Sequence, residues 1–297
     1  MNDTAIVSCF YTNLHGTKYG GRVSRTHHYL NSLASLLKMT NADFFVYVDP
    51  SEEYMLRAFL EPIAKNRVKI FAQDLEDFYM KDIFEKYKNY EEARTSLRCQ
   101  EIQYLKTFWM NKVENYDYVF WIDAGISYSG LIPDRHLIFP DNGAIEYYNS
   151  GLFNNNLIEG MKKIAEDKFL ILAINNDYPT FYRHVISDYY NDPVTYHTIG
   201  GILGGKTKTV KQFHSLFYQL AKEVIENKKE VHDEECIFNI LWHNRPELFA
   251  AQKFERWWHE DNIKSIYHGN EEEMEKVKPL KPFYTVLEDL IAIGKQP

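Results

Sequence analysis

Four short apolar runs rich in β-formers recur within the first 125 residues, and each closes on a polar or small residue. They are AIVSCFY at 5–11, DFFVYV at 43–48, RVKIF at 67–71 and YDYVFWI at 116–122. Runs without alternation suit strands of a parallel sheet, which helices cover on both faces. The segments between them supply those helices. Residues 25–38 carry Leu30, Leu33, Leu36 and Leu37 at helical spacing. A second helix is predicted from Ser51, with Glu52 and Glu53 in its first turn, where the helix dipole favours acids. The stretch 74–111 reads as mostly helical. This alternation predicts an α/β protein with a mostly parallel central sheet flanked by helices. Open sheets of this kind bind ligands beyond the carboxyl ends of their strands. Tyr11, Thr12, Asp49, Asp123 and Gly125 are therefore expected at one crevice.

The second half is harder to read. Residues 127–191 are rich in Tyr and Asn and hold one helix-like stretch, 157–165. TYHTIGGILGG follows at 195–205, then helices over 208–227 and 233–243, the latter with an apolar face of Ile237, Ile240 and Leu241. The tail from 270 to 281 is charged and predicted to be solvated. No repeat or linker breaks the chain, so one domain over 1–297 is expected.

Composition removes several function classes. With 34 basic and 42 acidic residues, the net charge of −8 argues against a general nucleic-acid coat, which needs clustered Lys and Arg. Cys9, Cys99 and Cys236 form no CxxC pair, against a zinc module or disulfide framework. The apolar runs at 118–122 and 169–174 fall far short of the roughly 20 residues a membrane helix needs. The opening MNDTAIVSCFYT lacks the basic and long apolar regions of a signal peptide. These features predict a protein of the cytoplasm, with no membrane span.

Three constellations can carry chemistry. Asp123 ends a buried strand and is followed by the small Ala124 and Gly125, which leave room for a diphosphate or cation; a turn cap is the structural alternative. Gly200-Gly201-Ile202-Leu203-Gly204-Gly205 suits close packing against a ligand or another backbone, and a tight bulge explains it equally. His232-Asp233-Glu234-Glu235 opens a helix, where acids serve as caps or project a carboxylate into the crevice as base, nucleophile or anchor.

Taken in order, YDYVFWIDAG, YHTIGGILGG and HDEECIFNILW resemble the nucleotide-sugar-dependent glycosyltransferases of the GT-A fold, which is Rossmann-like. The ABO and α-1,3-galactosyltransferase family has a similar series: a strand ending in Asp-x-Asp, a Tyr-His…Gly-Gly segment, a long helix, then His-Asp-Glu. AIVSCFYT, YDYVFWIDAG and GGILGG also resemble the bacterial HtrL/YibB-like proteins, associated with surface-polysaccharide gene clusters. The resemblance implies a nucleotide-binding half over 1–125, a donor-sugar and acceptor half over 126–269, and a C-terminal tail over 270–297. It implies transfer from a UDP-sugar to a glycan or other hydroxyl, with retention.

Residue by residue, the resemblance makes Asp123 the first Asp of Asp-x-Asp, facing a metal-bound diphosphate. Gly125 replaces the second Asp, usually a ligand of Mn²⁺ or Mg²⁺, so basic residues share the charge: Arg98 and Lys106 before the Asp123 strand, or Arg22 and Arg25. Glu234 matches the proposed nucleophile or stabiliser, and Asp233 its donor-sugar-binding neighbour. Gly200 and Gly201 line the donor sugar. His268, in IYHGN, matches a glycogenin-like metal His, with His259 in competition. Trp257 and Trp258 are candidate sugar platforms. Asp49 would hold the ribose or base, and Tyr11 and Thr12 the base pocket.

Two other readings stand beside this one. Gly125 favours a non-catalytic nucleotide-sugar-binding protein. Lys206, Lys208 and Lys211 beside the glycine segment favour a phage-type transferase acting on a modified nucleic-acid base, a class the net charge disfavours.

Overall fold

A computed structural model describes residues 2–11, 26–64, 66–87, 97–124, 154–175, 196–254 and 283–297. Four strands come from the first half: β1 (Thr4–Phe10), β2 (Asp43–Val48), β3 (Val68–Ala72) and β4 (Tyr118–Ile122). Three come from the second: β5 (Phe169–Asn175), β6 (Tyr196–Lys206) and β7 (Phe249–Phe254). They form one sheet in the order β3-β2-β1-β4-β6-β5-β7. All pairings are parallel except the two made by β6, which runs against both β4 and β5. The mixed, mostly parallel sheet thus matches the expectation, and its one reversed strand is the glycine segment.

Eight α-helices are described: α1 (Thr26–Met39), α2 (Glu53–Ala64), α3 (Lys81–Tyr87), α4 (Leu97–Asn111), α5 (Asn155–Ala165), α6 (Thr207–Lys228), α7 (Glu234–Asn244) and α8 (Phe283–Lys295). None of them is long and apolar enough to cross a membrane.

Successive strand residues feed opposite layers, because side chains alternate across a pleated strand. Ile6, Phe44, Val46, Phe120 and Ile122 join the layer with Leu33, Leu37, Leu56, Leu157 and Leu290. Val7, Phe45, Tyr47, Val119 and Trp121 join the layer with Tyr104, Trp109, Phe217 and Phe238. Both faces are covered, which is why the runs of β1, β2 and β4 lack alternation in sequence, whereas β3, at the sheet edge, buries only Ile70.

The glycines of β6 answer a packing demand. Gly204 has φ 138°, in the region that L side chains avoid, and a Cβ there would run into Val119 O. A Cβ on Gly205 would sit 2.7 Å from Lys168 O. The register against β5 jumps from Leu203 opposite Ile171 to Ile199 opposite Leu172. Residues 200–202 therefore bulge away from β5.

The end of the chain corrects one expectation. The region read as a tail over 270–297 contains α8, whose Leu287, Leu290 and Ile291 are buried. Gly160 of α5 and Gly294 of α8 let the two helices touch backbone to backbone, since a Cβ on either would overlap the other helix. The charged stretch 270–281 lies outside the described residues.

Candidate active site

β4 delivers Asp123 to the carboxyl edge of the sheet. Because β6 is antiparallel, its opening residues meet β4 there: Ile202 lies opposite Ile122, and the Asp123 N–H donates to Gly201 O at 2.9 Å. Trp121, two residues earlier on the same strand, donates its indole N–H to Asp123 Oδ1 at 2.6 Å. The Asp123 side chain remains 41% exposed.

Behind this edge runs α4. Its Gln100, Gln103 and Lys106 are spaced i, i+3 and i+6 and share one face. Lys106 is 8% exposed and carries the centre of the site. Its ammonium donates to Glu234 Oε1 at 2.8 Å and Gly200 O at 3.1 Å, and lies 3.4 Å from Asp123 Oδ1. It also sits 5.5 Å from the centre of the Trp121 ring.

The third wall is the start of α7. Glu234 is 1% exposed. Asp233 is the N-cap residue but makes no side-chain cap bond. It accepts instead from the Gln100 amide at 3.3 Å. With its amide nitrogen turned to the acids, Gln103 donates to Asp233 Oδ1 and Glu234 Oε2, each at 3.2 Å. Glu235 accepts the Gly200 N–H at 3.0 Å. Asn239 accepts the Thr198 N–H at 3.1 Å and donates to Glu235 O at 2.8 Å, which fastens α7 to β6. A Cβ on Gly200 would overlap Glu234 Oε1 and sit 2.8 Å from Lys106 Nζ, so any larger residue would push this ion pair aside.

The electrostatics follow from burial. Burial pushes the Glu234 carboxyl up more than Lys106 pulls it down. Burial and then the Glu234 charge push Glu235 up to about 8. Burial would lower the Lys106 ammonium, but Asp123 and Glu234 more than offset it and hold the group above its ordinary value. Among the described residues, Asp123, Glu234 and Glu235 act on this one ammonium, and Asp233 adds its charge beside Glu234.

The other expected residues divide. Asp49 lies at the same sheet edge, where its Oδ1 accepts from Ser51 N–H at 2.9 Å and Ser51 Oγ–H at 2.6 Å, the turn that leads into α2. Tyr11 is a core residue: it is 5% exposed, stacks on Trp109 and donates its hydroxyl to Gln73 O at 2.9 Å. Its ring is not open to a base. Thr12, Arg22, Arg25, Gly125, Trp257, Trp258, His259 and His268 lie outside the described residues, as does the side chain of Arg98, whose backbone opens α4. Lys206 and Lys208 both pair with Asp167, and Lys211 lies 3.8 Å from Glu114, so these lysines are countered by acids. Among the described residues no group of three or more His, Cys, Asp or Glu could hold a metal. Asp123 alone does suit Mg²⁺ or Mn²⁺ ligation of one kind, in which a single carboxylate, waters and substrate phosphates complete the shell.

The family described as "Bacterial protein of unknown function (HtrL_YibB)" matches residues 3–262. The chain belongs to this HtrL/YibB family. No curated protein matches it in sequence. Apo mouse xyloside xylosyltransferase 1 is similar in structure, with a TM-score of 0.50 at 13% identity over 84% of each chain. The galactosyltransferase LgtC in complex with donor and acceptor sugar analogs gives a TM-score of 0.48 at 12% identity, over 83% of this chain and 72% of that one. The HtrL/YibB protein thus has the fold of the GT-A glycosyltransferases.

Proposed function

We propose that this HtrL/YibB protein is a glycosyltransferase that moves a sugar from a UDP-sugar to a hydroxyl of a glycan, in the cytoplasm, during polysaccharide assembly. The observation that carries the proposal is the ammonium of Lys106 joining Asp123, at the strand edge, to Glu234, at the helix start. Two acids held at one crevice match what the reaction needs. The bond from the anomeric carbon to the diphosphate oxygen breaks, and its electron pair leaves with the nucleoside diphosphate. The acceptor hydroxyl oxygen bonds to that carbon, and its proton passes to the departing diphosphate oxygen. Positive charge builds on the sugar ring meanwhile, and nearby carboxylates stabilise it.

The residues take distinct parts in this reading. Asp123 faces the diphosphate, since its carboxylate is the more exposed of the two. Asp233 is partly exposed and orients the donor sugar, steadied by Gln100 and Gln103. Glu234 acts from behind as an electrostatic stabiliser. Bound at Asp123, Mn²⁺ or Mg²⁺ would neutralise charge on the departing diphosphate. The excess of acids supports a cation there, because a bare diphosphate would be repelled. Retention rests on the match of Glu234 to the retaining family's acid; NMR of the product's anomeric configuration tests it.

Incubation with a panel of nucleotide sugars and Mn²⁺ tests the function. Release of nucleoside diphosphate, slow with water and faster with an acceptor, is expected. Binding without any release would instead make the protein a nucleotide-sugar binder.

A further inference from the structure

We infer that Lys106 is a positioning residue: it fixes the carboxylates of Asp123 and Glu234 in one geometry without itself touching the donor. This rests on the transferase reading above. The ammonium lies on the inner side of the site. Its side chain is only 8% exposed, and its neighbours are Glu234 Oε1, Gly200 O, Asp123 Oδ1 and the Trp121 ring. Two of its three donors are taken by Glu234 Oε1 and Gly200 O, and its remaining side faces Asp123 Oδ1 as an ion pair at 3.4 Å. Those oxygens are 17, 94 and 128 residues away in sequence. The β4 end and the α7 start each bond to backbone groups of β6, and Lys106 adds a direct link between their carboxylates. The pair packs directly against Gly200, where an added methyl group would overlap Glu234 Oε1 and lie 2.8 Å from Lys106 Nζ. A lysine that served as a diphosphate ligand would need a surface facing the crevice. Here the exposed group is Asp123.

The distinction is measurable. A positioning residue changes turnover through misplaced groups, and a displacement of about 1 Å can cost about 100-fold. A ligand changes affinity. Lys106→Met and Lys106→Gln are to be assayed for kcat on a nucleotide sugar and, by calorimetry, for the Kd of UDP with Mn²⁺. Lys106→Gln keeps a hydrogen-bond donor and guards against loss of folding in Lys106→Met; Lys106→Arg keeps the charge. The expected result is a kcat loss of about 100-fold in the neutral variants, a UDP Kd within about threefold of wild type, and partial recovery in Lys106→Arg. A UDP Kd that weakens in step with the rate loss overturns the inference, as does unchanged kcat in a folded neutral variant. A wild-type protein that releases nothing from any nucleotide sugar overturns the transferase reading, and this inference with it.

Discussion

Asp123 and Glu234 share one ammonium but live in different surroundings. Asp123 is 41% exposed, and its other close partner, Trp121, is two residues away on the same strand. Glu234 is 1% exposed, and the ammonium it meets comes from 128 residues away. One acid is set out for a ligand by its own strand; the other is sunk into the fold and depends on contacts between distant elements. A solvated acid keeps its hydration and needs little from the fold, whereas a buried one needs a counter-charge to remain ionised. Removing each partner should therefore produce effects of very different kinds.

The largest effect is expected on turnover. Asp123→Asn should lower kcat by about 10²–10³-fold, the cost of losing a group aimed at developing charge, with little change in melting temperature because the side chain is half exposed. Loss of the fold together with the rate would break the comparison. The largest stability effect should come from the buried side. Lys106→Met leaves Glu234 without its counter-charge and should cost about 3–5 kcal/mol in chemical denaturation.

Gly200→Ala comes next. Its Cβ overlaps Glu234 Oε1, so it should cost about 1–3 kcal/mol, as overpacked sites do, and reduce kcat while leaving UDP affinity in place. Calorimetry beside the rate assay checks both.

A pH effect sharpens the contrast further. Glu235 is held protonated, with a value pushed from 4.5 up to about 8. The native state then binds more protons than the unfolded chain between those values. Its contribution to stability is fully present below about 4.5 and is lost as pH rises through about 8. Glu235→Gln should flatten the fall of melting temperature across that window. At the surface, Asp167→Asn removes the partner of Lys206 and Lys208, and melting temperature and activity should both stay unchanged.

The same contrast explains what could be read from sequence. DFFVYV and YDYVFWI announce their strands because both faces are buried, and Asp123 follows from its place at a strand end. β5 is equally buried but lies beside a Tyr- and Asn-rich stretch without clear periodicity, so FLILAI reads only as a short apolar run; β7, at the sheet edge, buries Phe249 but exposes Lys253 and gives a weaker signal still. α8 escapes because its apolar face follows a charged segment. Glu234 and Lys106 could both be singled out by resemblance, but that resemblance gives Lys106 to the diphosphate, and its pairing with Glu234 is visible only in the fold. Gln100, Gln103 and Lys106 did leave a signal, three polar residues at helical spacing on one face of a mostly buried helix. Which acids they meet depends on the antiparallel entry of β6, and no local pattern encodes that.

The most direct test is nucleotide-sugar turnover by wild type, Asp123→Asn and Glu234→Gln, each verified as folded by its melting curve. The account predicts release of nucleoside diphosphate by wild type with Mn²⁺ and losses of about 100-fold or more in both variants. A wild-type protein inert towards every nucleotide sugar, or two folded variants with full activity, would contradict it.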